Sequence, residues 1–180
     1  MNNEPLSMFL SEKSIFLHKE YLKKEKARYS ILEKSFPEIV GASFSDIFSK
    51  RTLKRGLKNE ILSLLSEIKL HELYFNSFCL NPKPSEKIRG SYTSEERFLY
   101  EAWLLGREKR CGFLYLFCDR KNRVCLCYEK EAIDVFLRAA PLLCLDLCEH
   151  AYFLDYGFES GEYLRRALGF LDISRIEAIC

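Results

Sequence analysis

The spacing of apolar residues changes once along this chain, and that change limits what it can fold into. Before Asn81-Pro82-Lys83-Pro84, apolar residues recur every three or four positions; after it they gather in short aromatic or β-branched runs. The first pattern buries one stripe of a helix, the second the faces of a strand. Residues 9–34 read as one helix, with Ser11 as N-cap and Ile15, Leu17, Leu22, Tyr29 and Leu32 as its apolar positions. Residues 46–55 are polar, and Gly56 breaks the pattern. Residues 57–78 read as a second long helix through Ile61, Leu64, Leu65, Ile68, His71 and Phe75. The Pro-rich stretch, running on to Ser91, is a strong breaker and the expected boundary. It divides an N-terminal helical-hairpin domain, 1–82, from a C-terminal α/β domain, 83–180. Thr93 with Glu96 three positions on has the form of a capping box, opening a helix to about Arg107. Residues 113–118 and 123–128 flank Asp119-Arg120-Lys121-Asn122 as a β-hairpin would. Residues 142–147 read as a third strand and 162–171 as a last helix. The expected class is α+β, a long helical hairpin followed by an α/β domain with a three-stranded antiparallel sheet.

Composition narrows the partners. Of 180 residues, 48% are hydrophobic and 30% charged, enough for a sizeable core. A net charge of +2 is too small for charge alone to argue a nucleic-acid partner. No apolar run reaches the ~18 residues of a membrane span. The eight cysteines lie mostly in apolar runs such as RVCLCYE and PLLCLDLC, and no C-x2-C pair is present. The start, MNNEPLSMFLSEKS, lacks the basic and apolar regions of a secretory signal. Reduced, buried thiols in a cytoplasmic protein are therefore expected. Lys19, Lys23, Lys24, Lys26 and Arg28 form a basic helix face, read either as solvated or as a patch that steers an anion or meets an acidic partner.

The chain has three histidines and no glutamine. Asp146, Glu149 and His150 stand at or just past the end of an apolar strand, where carboxylate and imidazole can face one ion. Mixed oxygen and nitrogen ligands suit iron, manganese or zinc. Taken alone, Asp146 reads equally as a helix cap and His150 as a satisfied histidine. His71, on the inner face of the second helix, would by itself be an ordinary core histidine. With His18 on the first helix, however, all three imidazoles fall on segments able to converge beside Asp146.

At these residues the chain resembles the iron/manganese superoxide dismutases. DLCEHAYFLDY, residues 146–156, is similar to that family's D-x-W-E-H-A-Y-Y-x-D-Y signature. HELYFNSFCLNP, residues 71–82, resembles H-x-x-x-W-x-x-L-x-P. GFLYL, residues 112–116, resembles G-W-x-W-L, and SEKSIFLH, residues 11–18, resembles S-x-x-T-x-x-x-H. The blocks keep the family's order over nearly the whole chain. The resemblance implies one iron or manganese ion per chain on His18, His71, Asp146 and His150. It implies ping-pong dismutation of superoxide, the small-molecule substrate, to dioxygen and hydrogen peroxide. It implies a homodimer in which Glu149 bridges to a ligand histidine of the partner and Tyr152 lies at the interface.

The same comparison locates the departures. The family's tryptophans near the metal correspond to Phe75, Phe113, Tyr115 and Cys148, and Trp103 lies elsewhere. Aromatic substitutes keep a site dry but lack an indole N–H; Cys148 sets a thiol beside a redox metal. Where the family has a glutamine or histidine bonded to the metal's solvent, this chain offers Glu67, with Glu131 near the alternative position. Glu67 must be protonated to donate; a solvent-facing Glu67 is the other reading. The family's gateway tyrosine lies eight past the first ligand, where Lys26 stands; Tyr29, eleven past, shares nearly the same face. Tyr21 is eight before Tyr29, so a second register puts Tyr21 in place of His18; His18 is preferred because imidazole is the better ligand. A non-catalytic descendant of the fold is the alternative function. The four ligands do not discriminate iron from manganese.

Overall fold

The structure, a computed structural model, describes residues 4–178. Helix α1 (Glu12–Ser35) opens as expected at Ser11, whose side chain accepts the Ser14 N–H, and buries Ile15, His18, Leu22 and Glu25. The polar segment that follows holds a short helix, α2 (Phe44–Ser49), because Ser43 and Asp46 make a reciprocal capping box over the buried Ile47. Helix α3 (Arg55–Phe75) packs against α1 as the second arm of the hairpin. It stops three residues short of the expected end. Ser77 and Phe78 are drawn away instead: Phe78 bridges Leu171, and the Cys79 N–H donates to the Phe170 carbonyl at 2.9 Å.

The Pro-rich stretch is also shorter than expected, since Ser85 caps α4 (Glu86–Tyr92). Thr93 does not cap the next helix. It ends α4 at φ 73°, and Ser94 caps α5 (Glu95–Gly106) by accepting the Arg97 N–H. Strands β1 (Phe113–Cys118) and β2 (Val124–Glu129) form the expected hairpin, α6 (Ala132–Arg138) follows, and β3 (Leu143–Asp146) returns beside β1. The sheet is antiparallel, in the order β2-β1-β3, with Phe113 opposite Asp146 and Tyr115 opposite Cys144. Helices α7 (Glu149–Tyr156) and α8 (Ser160–Leu168) complete the order.

Strand β1 is central and covered on both faces. Phe113 and Tyr115 meet Leu70 of α3 and Val135 of α6, while Leu114 and Leu116 join the main core with Phe98 and Leu164. Because α3 packs on β3 and α1 packs on α7, the end of β3 lies where all four meet. The expectation for the cysteines is corrected in two ways. Cys118 is disulfide-bonded, and of the free cysteines Cys79, Cys111, Cys125, Cys127, Cys144 and Cys148 only Cys144 is buried.

Candidate metal centre

Four side chains converge where those elements meet. His18 comes from α1, His71 from α3, Asp146 from the end of β3 and His150 from the first turn of α7. One donor atom of each lies within 4.8 Å of all the others. Asp146 Oδ2 is at the centre, 3.1 Å from His18 Nε2, 3.3 Å from His71 Nε2 and 2.9 Å from His150 Nε2. His18, His71 and Asp146 are buried, and His150 is partly exposed.

The surrounding backbone aims these groups. Asp146 Oδ1 accepts the Cys148 N–H at 2.8 Å, which turns Oδ2 toward the imidazoles. The Asp146 carbonyl accepts the Tyr163 hydroxyl at 2.9 Å. His71 Nδ1 lies 2.7 Å from the Glu67 carbonyl. A carbonyl only accepts, so Nδ1 carries the proton and Nε2 presents its lone pair to the cluster. Buried Asp146 Oδ2 and both ring nitrogens of His18 have no hydrogen-bond partner. Such buried polar atoms ordinarily find one. Three imidazole nitrogens and a carboxylate oxygen, convergent and partly unsatisfied, are a donor set that fits iron or manganese.

The electrostatics agree. Burial pushes the Asp146 carboxyl up, but the charge of His150 and the close approach of the His150, His18 and His71 ring nitrogens outweigh it. They hold Asp146 well below the usual carboxylate range. Burial lowers His18, keeping it neutral and able to ligate. At His71 burial acts downward too, but the Asp146 carboxylate 3.3 Å from Nε2, together with the Glu67 carbonyl that accepts from Nδ1, prevails and the value rises.

The aromatic wall departs partly from expectation. Phe75 packs on His18 at 4.9 Å between ring centroids, and Phe113 meets His71 edge-on at 5.7 Å. Tyr115 lies one layer away, in the cluster with Leu70 and Val135. Cys148 precedes α7, and its sulfur accepts the Gly112 N–H at 3.1 Å. Glu149 is exposed, whereas Tyr152 is buried in its own chain, stacked on Tyr163 at 4.8 Å. Glu131 is an exposed residue at the start of α6.

The structure does not bring Tyr29 to the cluster. It stands about 16 Å along α1 from His18, at 1.5 Å per residue, and packs between two core clusters. The tyrosine beside the imidazoles is Tyr21, stacked on His150 at 4.4 Å and tilted on His71 at 5.1 Å. Tyr21 and Glu67 line an open cleft between α1 and α3 with Glu25, Arg28, Glu60, Ser63 and Leu64. Glu67 Oε2 is 3.6 Å from His71 Nδ1, and burial, the largest influence, raises its carboxyl. Sequence reasoning missed Tyr74 and Tyr163. Tyr74 packs on His18 at 4.9 Å and shares a 3.2 Å hydrogen bond with Tyr163. A signal existed for two of these rings: Tyr21 and Tyr74 each lie three past a histidine, on the same helix face.

The basic face of α1 is largely paired. Lys26 meets Glu72 at 2.7 Å, Arg28 meets Glu25 at 2.8 Å, Lys23 meets Glu20 at 3.3 Å, and Lys19 lies over Phe75. No described helix is long and apolar enough to cross a membrane.

Residues 82–178 match the family profile described as iron/manganese superoxide dismutases, C-terminal domain. Among curated proteins, a superoxide dismutase [Fe] of Cupriavidus metallidurans is 29% identical over 116 residues. That alignment covers 61% of this chain and spans 59% of the relative's length.

Proposed function

The chain belongs to the iron/manganese superoxide dismutase family, and from that premise we propose that it converts superoxide to dioxygen and hydrogen peroxide on one ion held by His18, His71, Asp146 and His150. The observation that carries this reading is the buried donor set around Asp146 Oδ2, with orphaned atoms that a cation satisfies. The bound ion would supply one-electron redox chemistry, taking an electron from one superoxide and giving it to the next.

The residues around it have distinct tasks in this reading. The Glu67 carbonyl and the Cys148 N–H fix His71 and Asp146. Phe75 and Phe113 keep water from two of the imidazoles. Tyr21 takes the gateway place expected of Tyr29, since it is the ring that both lines the cleft and touches the histidines. Glu67 holds a proton beside the cleft for the reduced product. Its raised carboxyl makes the protonated form available at higher pH than an ordinary glutamate allows.

Elemental analysis and a superoxide assay on one chelator-free sample test the core of this proposal. About one iron or manganese per chain with superoxide-dependent turnover is expected. Protein that refuses both metals sinks it. Metal without turnover selects the second reading, a non-catalytic descendant of the fold, which Cys148 and Glu67 in place of the family's tryptophan and glutamine favour.

The role of Glu67 has a sharper test. As a donor it acts while protonated, so its contribution is present at low pH and fades as pH rises through its raised value. Glu67→Gln donates at every pH. The variant should keep turnover and lose that alkaline decline; an unchanged pH profile would remove Glu67 from the reaction.

The reading extends to a homodimer in the cytoplasm. Exposed Leu17, Phe153 and Leu154 surround His150 and Glu149 as an apolar rim that a second copy would cover.

A further inference from the structure

Two thiols meet beside the metal centre from distant parts of the chain. Cys111 precedes β1, Cys148 precedes α7, and their sulfurs are 3.0 Å apart. We propose that Cys111 and Cys148 form a peroxide-responsive pair, which hydrogen peroxide closes into a disulfide next to the histidine–aspartate cluster.

The local structure holds both partners in place. The Gly112 N–H donates to the Cys148 sulfur at 3.1 Å, and the Gly112 carbonyl accepts the Leu147 N–H at 2.9 Å. The Cys111 carbonyl accepts the Tyr128 hydroxyl from β2, also at 2.9 Å. Gly112, at φ 100°, makes the bend between the two anchors. A disulfide needs its sulfurs about 2.05 Å apart, so roughly one ångström of side-chain rotation closes the gap, without a change of fold.

Exposure sets the order of events. Cys111 is exposed and Cys148 is partly buried, so peroxide meets Cys111 first. The Cys111 sulfur attacks one peroxide oxygen, the O–O bond breaks, one water leaves and a sulfenic acid remains. The Cys148 sulfur then attacks the Cys111 sulfur, the S–O bond breaks and a second water leaves. Two thiols lose two electrons and two protons, and one peroxide becomes two waters. Cys148 stands between Asp146 and His150, and its N–H holds the Asp146 carboxylate. The bond therefore pins the turn that carries two of the four cluster residues, and it spares Cys148 from irreversible oxidation.

The test supplies peroxide from outside, so it does not depend on catalysis. Full-length protein is treated with stoichiometric hydrogen peroxide, remaining thiols are alkylated, and unreduced peptides are mapped by mass spectrometry. A Cys111–Cys148 linked peptide, two hydrogens lighter than its parts and released by dithiothreitol, is expected in the wild type. In Cys111→Ser, Cys148 should instead pass to sulfinic or sulfonic acid. The proposal falls if both cysteines remain alkylatable, carry separate oxygen adducts in the wild type, or link mainly to other cysteines. The wild-type map decides even if the variant does not fold. Failure here together with positive metal and superoxide assays overturns this pair and leaves the dismutase reading standing.

Discussion

Asp146→Asn is expected to emerge from purification with less than a tenth of the wild type's iron or manganese, while Tyr21→Phe keeps its metal. The two differ because Oδ2 of Asp146 is the atom all three histidines share, at 2.9–3.3 Å, whereas the Tyr21 ring stacks on the imidazoles from outside. An amide of the same shape removes the negative charge. Its NH2 can also turn inward and donate to a histidine nitrogen, blocking a lone pair that a metal would need. His18→Phe should match Asp146→Asn, because His18 Nε2 belongs to the same cluster. If Tyr21→Phe is the variant that loses metal, the register is wrong and Tyr21 is the ligand.

Stability follows occupancy. A ligand at a thousand times its Kd stabilises by about 4 kcal/mol, and a chain of this size shifts by roughly 2–4 °C per kcal/mol. Metal-loaded wild type should therefore melt roughly 8–16 °C above Asp146→Asn. The metal-free proteins give an independent check. The Asp146 carboxyl is held below its ordinary value in the fold. Its contribution is therefore present above the unfolded value of about 3.9 and is lost as pH falls through the folded one. Metal-free wild type should show that acid limb, and Asp146→Asn should not.

The convergence of this site was legible because histidine is scarce. With three in the chain, each could be followed to a segment able to converge, and the resemblance of residues 146–156 to the family signature supplied the ligand set. The long elements were equally readable: FLYLFC, bounded by Gly112 and Asp119, is an unbroken apolar run rich in aromatics, and β1 occupies it from end to end. Short helices were not. Helices α2, α4 and α6 have six or seven residues, fewer than two turns, so no period can establish itself. For α2 and α4 the signal lies in a cap, Ser43 or Ser85, rather than in a stripe, and α6 has no side-chain cap. The end of α3 was read too far because Phe78 keeps the apolar spacing while its backbone pairs with Leu171, a tertiary choice that local sequence does not encode. Tyr29 is the gateway expected from helical phase, and Tyr21 enters the sequence reading only as an alternative to His18 at the ligand position. Phase fixes the face of a helix but not the height at which a partner helix crosses it. Cys111 drew no attention because its partner is 37 positions away.

Two of the departures from the family, Phe113 and Cys148, meet at one junction, since Phe113 is paired with Asp146 and the neighbouring Gly112 reaches the Cys148 sulfur. Cys148 replaces a large ring, and the space beside it is taken by the chain before β1, whose Gly112 N–H reaches the sulfur. The Gly112–Cys148 hydrogen bond and the Cys111–Cys148 approach set the start of β1 against the start of α7. Asp146 is paired with Phe113 across the sheet and with Cys148 through its backbone, so the geometry of the cluster depends on how that junction is held.

Gly112 is the residue on which the junction turns, and Gly112→Ala should be the most destabilising small substitution in the chain. At φ 100° an alanine is strained whatever the space. Here the space is also closed: a Cβ would stand 2.5 Å from the Glu129 carbonyl oxygen and 2.8 Å from the Lys130 Cα. Both are backbone atoms at the end of β2, and Glu129 is paired with Phe113, so neither can retreat without opening the hairpin. Strain of about 1–3 kcal/mol and overpacking of similar size together cost about 2–6 kcal/mol, or roughly 4–24 °C in melting temperature. Gly90→Ala is the control. A Cβ there meets nothing within 4 Å inside a helix, and it should stabilise by about 0.5–1 kcal/mol. The loss should extend to metal, since Phe113 carries both the ring on His71 and the pairing to Asp146. Gly112→Ala protein that melts with the wild type and retains its metal would show that this junction does not hold the cluster.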